Sequence, residues 1–316
     1  MTELGVAIRG KSLYHPRSIK LWRQFDRVVI RNFLSPFFVW ADHNNPQSSL
    51  AKQHLTRIQR LGCSTHIHGT LPMRRQYLPW WLGGSVTFNP LTKRHIPRSE
   101  QIAYPQDVET RLRDFKRVIQ HNAAIASELG IGVDVVSQLF DRQGSYRRFG
   151  IALLSNAFQW AEESITNPEC QTYLNEVLGT SQERWDSILD KLKNNPHINA
   201  LSLQIHHPIG EGLDQQLELC AYVCQATKQQ GISINFSEMQ FWLSHDTEET
   251  PESEDEWSRW HRAFYDLAEQ YQSPSYVIWG LSDDGMAQLP LGGHGQNAFN
   301  YNKDPKPFVK EVLNLE

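Results

Sequence analysis

The chain has 316 residues, 40% hydrophobic and 21% charged, with a formal net charge of −4. That is long for one ordinary core but normal for a closed α/β barrel, which runs to about 250 residues plus insertions. The charge leaves no basic footprint for nucleic acid, and no stretch approaches the roughly 20 apolar residues that span a membrane.

Short β-branched runs alternate with amphipathic helical runs along the whole length. Met1–Lys11 lacks the basic and apolar blocks of a signal peptide, so the expectation is a cytoplasmic protein or a secreted one expressed without its leader. Gly5–Ile8 and Arg27–Asn32 read as the first two strands, and Ser49–Leu61 as an amphipathic helix. Cys63–Leu71 is the third strand, followed by a Pro- and Gly-rich loop over Trp80–Tyr104 and a helix over Asp107–Leu129. Gly132–Gln138 and Thr172–Val177 are strands four and five, with a helix over Phe149–Ile165 between them. The helix Ser181–Lys193, the strand Ala200–His207, the helix Asp214–Gln230, the strand Ser233–Met239 and the helix Glu254–Tyr271 come next. A last strand, Tyr276–Asp283, precedes a short helix opened by Pro305 and Pro307. Gly130 and Gly231 each stop a helix, as C-cap glycines do. Eight strands separated by helices predict an α/β fold, a single (β/α)8 TIM barrel, with residues 1–316 as one domain.

Cys63, Cys170, Cys220 and Cys224 have no Cys or His partners at zinc-finger spacing and are expected to be packing groups. Ten tryptophans and ten tyrosines supply flat rings of the kind that stack on sugar faces.

In such barrels function collects at the C-terminal ends of the strands. Strand four ends in V-D-V-V-S-Q (Val133–Gln138), strand six in Q-I-H (Gln204–His206), strand seven in S-E-M-Q (Ser237–Gln240) and strand eight in W-G-L-S-D (Trp279–Asp283). These resemble W-D-V-V-N-E, Q-x-H, T-E-L-D and W-G-x-x-D of the family 10 glycoside hydrolases, mostly endo-β-1,4-xylanases, in the same order. Gly144–Phe149, Asn156–Glu162 and Asp304–Phe308 extend the resemblance over nearly the whole chain.

The resemblance implies a retaining mechanism. One carboxylate attacks the anomeric carbon, and a second about 5–5.5 Å away protonates the leaving oxygen and then activates water. Glu238 falls at the nucleophile position and His206 where the family's histidine orients it. Trp279 would wall the cleaved sugar, with Gln204 beside it. Asn32, His68 and Ser137 complete the implied sugar-binding set, while Trp80, from the aromatic content of the loop after strand three, is expected either to wall the cleft or to pack that loop. The implied partner is a β-linked glycan, with no cofactor and no metal, and neither nucleic acid nor membrane. The oligomeric state is open.

Gln138 stands where the family has its acid/base glutamate, and an amide cannot carry that proton. Three readings follow: a substitution that traps substrate, a sugar-binding relative that no longer cleaves, or takeover by another carboxylate such as Glu176. Other departures alter the sugar-contacting rim. Ser137 replaces an asparagine, Gly69 stands at a histidine position with His68 shifted by one, and Gln240 replaces an aspartate. Arg31 and Arg74 near that rim suit an acidic or substituted sugar. A separate expectation, from the residues alone, is a metal-dependent hydrolase with His66, His68, His206 and Asp283 as ligands.

Overall fold

The computed structural model describes the chain except for residues 32–34, 43–44, 47, 74–77, 85–87, 90–93, 96–106, 141–145, 211, 245–249, 282–292, 295–296, 301 and 316. Eight parallel strands form its centre: β1 (Glu3–Ile8), β2 (Arg27–Ile30), β3 (Ser64–Ile67), β4 (Gly132–Ser137), β5 (Thr172–Val177), β6 (Ala200–Pro208), β7 (Ser233–Ser244) and β8 (Ser275–Ile278). Each pairs with the next in chain order, and β8 returns to β1, with Gly5 opposite Val277. The sheet is therefore closed, a (β/α)8 barrel as expected, and it leaves no exposed barrel edge.

A helix follows every strand: α1 (Pro16–Trp22), α2 (Ser48–Arg60), α3 (Val108–Leu129), α4 (Tyr146–Glu162), α5 (Gln182–Lys193), α6 (Leu213–Gln229), α7 (Pro251–Gln270) and α8 (Pro307–Val312). Asp107 caps α3 by accepting from the Thr110 amide at 2.8 Å, and Gly130 ends it at φ 62°, where a side chain would be strained. Thr250 and Ser253 form a reciprocal capping box at the start of α7.

The 3.6-residue period of the helices turns their apolar faces onto the barrel. On α7 the stripe Trp257, Trp260, His261, Phe264, Tyr265 and Ala268 is buried. It meets Phe308 of α8 and Tyr276 of β8, the Tyr265 and Tyr276 rings being 5.5 Å apart. Large side chains such as these each contribute roughly 1.5–3 kcal/mol on burial. Lys306, from the D-P-K-P segment, is buried with its ammonium 4.8 Å from the Trp257 ring centre. All four cysteines are free and buried. No described helix is long and apolar enough to cross a membrane.

Among the described residues three register shifts interrupt the barrel's ladders, each on a strand that carries a site residue. Leu203 pairs with Phe236 but Gln204 with Glu238, so Ser237 is the extra residue on β7. Between β7 and β8 the pairing passes from Phe236–Tyr276 to Met239–Ile278. On β4, Asp134 pairs with Tyr173 but Val136 with Leu174 on β5. Such bulges re-aim side chains by breaking the two-residue alternation of a strand.

Candidate active site

The bulge at Ser237 brings Glu238 to the C-terminal mouth of the barrel, buried, in register with Gln204. His206 Nε2 lies 2.9 Å from Glu238 Oε1, and His68 Nε2 lies 3.5 Å from Oε2. Burial alone would raise the Glu238 pKa. The charge and hydrogen bond of His206, helped by His68 and Arg31, outweigh it and hold the carboxyl below its usual range. The group is thus kept ionised in a nearly dry setting, the state a nucleophile requires.

His68 is fixed from behind. Its Nδ1 is 2.8 Å from Asp134 Oδ2, and His66 Nε2 is 2.8 Å from Asp134 Oδ1. Asp134 also accepts from Asn175 Nδ2 at 2.8 Å. Burial opposes ionisation of Asp134, but the two imidazoles hold its pKa far below the ordinary value. Burial likewise opposes charge on His68. The hydrogen bond and charge of Asp134, with Glu238 beyond, raise its pKa nonetheless.

Gln138 follows β4 with φ 59°, a left-handed conformation uncommon outside glycine. Its amide N–H donates to Asn175 O at 2.8 Å, and its side-chain Nε2 donates to Gln204 Oε1 at 2.8 Å. Gln204 Nε2 in turn donates to Asn175 Oδ1, and Asn175 Nδ2 donates to Ser237 Oγ at 3.1 Å. Gln138, Gln204 and Asn175 thus form one buried chain of amides that runs from the expected acid/base position to the backing of the nucleophile. Ser137 is buried beside it, its backbone bridged to Leu71 and Met73.

Trp279, just past β8, packs edge-on against His68 with ring centres 4.6 Å apart. Arg31, just past β2, places its guanidinium 5.1 Å from the Trp279 ring centre. Gly280 makes room for this arrangement. A Cβ there would lie 1.6 Å from Asn297 Oδ1 and 3.1 Å from Arg31 Nη2.

The structure therefore brings Glu238, His206, His68, Gln204, Gln138, Ser137 and Trp279 to the C-terminal end of the barrel, as the motifs imply. Asn32, Arg74, Gly144 and Asp283 lie outside the described residues. Trp81 is buried, its ring centre 5.7 Å from that of Trp40, and Trp80 packs partly buried against the same core. Glu176 is committed elsewhere. It pairs with Arg184 Nη2 at 2.6 Å and accepts from the Phe140 and Val177 amides at 3.0 and 3.1 Å.

The metal reading meets a different geometry. His66 and His68 direct nitrogens at Asp134, and His207 stacks on Trp260 with ring centres 5.1 Å apart. Among the described residues no group of three or more His, Cys, Asp or Glu side chains is arranged to hold a metal ion.

The motifs at the strand ends give no role to Asp134 or Asn175, which the structure places behind His68 and Gln204. Asp134 is a polar residue inside the apolar run V-D-V-V, and Asn175 with Glu176 interrupts the strand Y-L-N-E-V; polar residues in buried strands are the available signal.

The fold and site define a (β/α)8 barrel whose mouth holds a buried, histidine-supported carboxylate. By fold the chain is similar over nearly its full length to family 10 xylanases. It overlays a GH10 structure from Paenibacillus barcinonensis with a TM-score of 0.79 at 18% identity, covering 99% of this chain and 94% of that one. An intracellular xylanase of Thermoanaerobacterium saccharolyticum, solved as a mutant with xylotriose, gives 0.78 at 18%, covering 98% and 95%. Xylanase 10C of Cellvibrio japonicus gives 0.82 at 13%, covering 100% of this chain and 70% of the other. No family model and no curated protein sequence matches the chain.

Proposed function

We propose that the chain is a retaining β-glycoside hydrolase of the family 10 type, acting on a β-linked glycan, with cleavage of unactivated substrates impaired by Gln138. The observation that carries this reading is Glu238, buried yet held ionised by His206 at 2.9 Å. A protein that only bound sugar would have no need of a desolvated carboxylate whose charge is maintained by an imidazole. The fold of xylanases solved with bound xylo-oligosaccharides supports a β-glycan as ligand.

In the proposed reaction Glu238 attacks the anomeric carbon, and Trp279 forms one wall of the sugar site. His206 and His68 position the carboxylate. Gln138 can donate a hydrogen bond to the leaving oxygen but cannot transfer a proton, a deficit worth about 10²–10⁴-fold in rate. Aryl glycosides with good leaving groups need little of that help. Incubation with an activated aryl β-xyloside should therefore label Glu238, seen as a glycosyl adduct by peptide mass spectrometry. Absence of any adduct across xylosides and glucosides would refute the nucleophile assignment.

A second reading, a non-cleaving glycan-binding protein on the same barrel, is favoured by the amide chain Gln138–Gln204–Asn175. There Gln138 is an integrated donor in a satisfied network, and the position serves binding.

A further inference from the structure

A cavity of about 460 Å³ opens at the same end of the barrel. It lies between the residues after β1, the helix α1, Arg31 after β2 and Gly280 after β8. Its volume falls in the range of roughly 300–1,000 Å³ typical of small-molecule sites. Arg9, Lys11, Arg17, Arg31 and Lys303 line it with His15, and none of its lining residues is acidic. The chain as a whole has more acids than bases, 35 against 31, so this surface runs against the protein's overall charge.

Arg31 gives the cavity its direction. Among the described residues its Nε is buried without a hydrogen-bond partner, and the acidic charge that acts on it is that of Glu238. The same guanidinium sits over Trp279, which touches His68, which faces Glu238. The cavity is therefore linked to Glu238 through three side-chain contacts, Arg31 being the residue that lines the one and leads to the other.

We propose that this cavity is a subsite for an anionic pyranose, a sugar unit carrying a carboxylate or an acidic ester, next to the unit held at Glu238. The inference rests on the glycan reading above and names the class of glycan. Guanidinium groups match carboxylate and sulfate oxygens in a planar, two-pronged geometry, and several converging cations distinguish such a unit from a neutral sugar.

The test is calorimetric titration of the full chain with a matched set. The set comprises a neutral β-linked xylo-oligosaccharide, the same backbone bearing one uronosyl unit, a sulfated counterpart, and inorganic phosphate. The expected result is at least about tenfold tighter binding of an anionic member than of the neutral one, an advantage that shrinks at high salt. In the double variant Arg9→Glu, Arg17→Glu, both surface positions, the ratio of anionic to neutral affinity should fall toward one, with a thermal melt verifying the fold. The uronosyl and sulfated arms identify which anion the subsite takes. Equal affinity for neutral and anionic glycans would overturn the subsite and leave the glycan reading standing. Binding of inorganic phosphate as tight as that of the charged glycans would overturn the sugar assignment, because the cavity would then recognise the anion alone. Binding of the uronosyl member without the neutral one supports the subsite and shows it to supply most of the affinity. Silence of every glycan overturns both.

Discussion

His68 bridges two carboxylates, its Nδ1 2.8 Å from Asp134 and its Nε2 3.5 Å from Glu238. Neutralising Asp134 should therefore be felt at the nucleophile, although Asp134 lies behind the histidine. Asp134→Asn removes the charge that raises the His68 pKa, so the His68 ring resonances should titrate at lower pH by NMR. Asp134→Ala, which strips both imidazoles of their partner, should cost about 3–5 kcal/mol in urea unfolding. A His68 titration unchanged in Asp134→Asn would mean the coupling is absent.

Stability should depend on pH from both sides. Glu238 and Asp134 have pKa values lowered by folding, so their contribution is present above the ordinary carboxylate range and lost as pH falls through the lowered values. His68 has its pKa raised from 6.5, so its contribution is complete below 6.5 and lost as pH rises through the raised value. Melting temperature should be highest between roughly pH 4.5 and 6.5, the ordinary glutamate and histidine values, and decline on each side. His68→Gln should flatten the alkaline decline. An alkaline decline identical in that variant would assign it to other groups.

The missing acid should be recoverable. Gln138→Glu should raise hydrolysis of unactivated β-glycosides by about 10²-fold or more, with Gln204 turning its amide to donate to the new carboxylate. In the unaltered chain, azide should release the stalled glycosyl-enzyme from aryl substrates as a β-glycosyl azide, since it needs no general base. Glu238→Ala should abolish both. Sugar binding by Gln138→Glu without turnover on any β-glycoside would favour the binding-protein reading.

The Glu176–Arg184 pair should behave as structure. Arg184→Ala leaves a fully buried carboxylate without its 2.6 Å partner and should destabilise the fold by about 3 kcal/mol. Glu176→Gln, introduced beside Gln138→Glu, should leave the restored rate within about twofold of Gln138→Glu alone. Loss of that rate would show that Glu176 has a part in catalysis beyond its pairing with Arg184.

The sequence by itself determined the barrel, because the signals for strands and helices are local. Short β-branched runs, the 3.6-residue spacing of apolar residues and the helix-ending glycines Gly130 and Gly231 all act within one or two turns of chain. The same locality placed Glu238, His206, Gln204, Gln138 and Trp279 at strand ends, since each sits a fixed number of residues along its strand. Only the tertiary structure decided what these residues touch. The grip of His66 and His68 on Asp134 joins strands more than sixty positions apart. The amide chain from Gln138 needs the register of β4, β5 and β6, and the bulge at Ser237 sets which way Glu238 faces. The burial of Trp81, the commitment of Glu176 to Arg184 and the cationic cavity around Arg31 likewise arise from long-range packing, which no local pattern encodes.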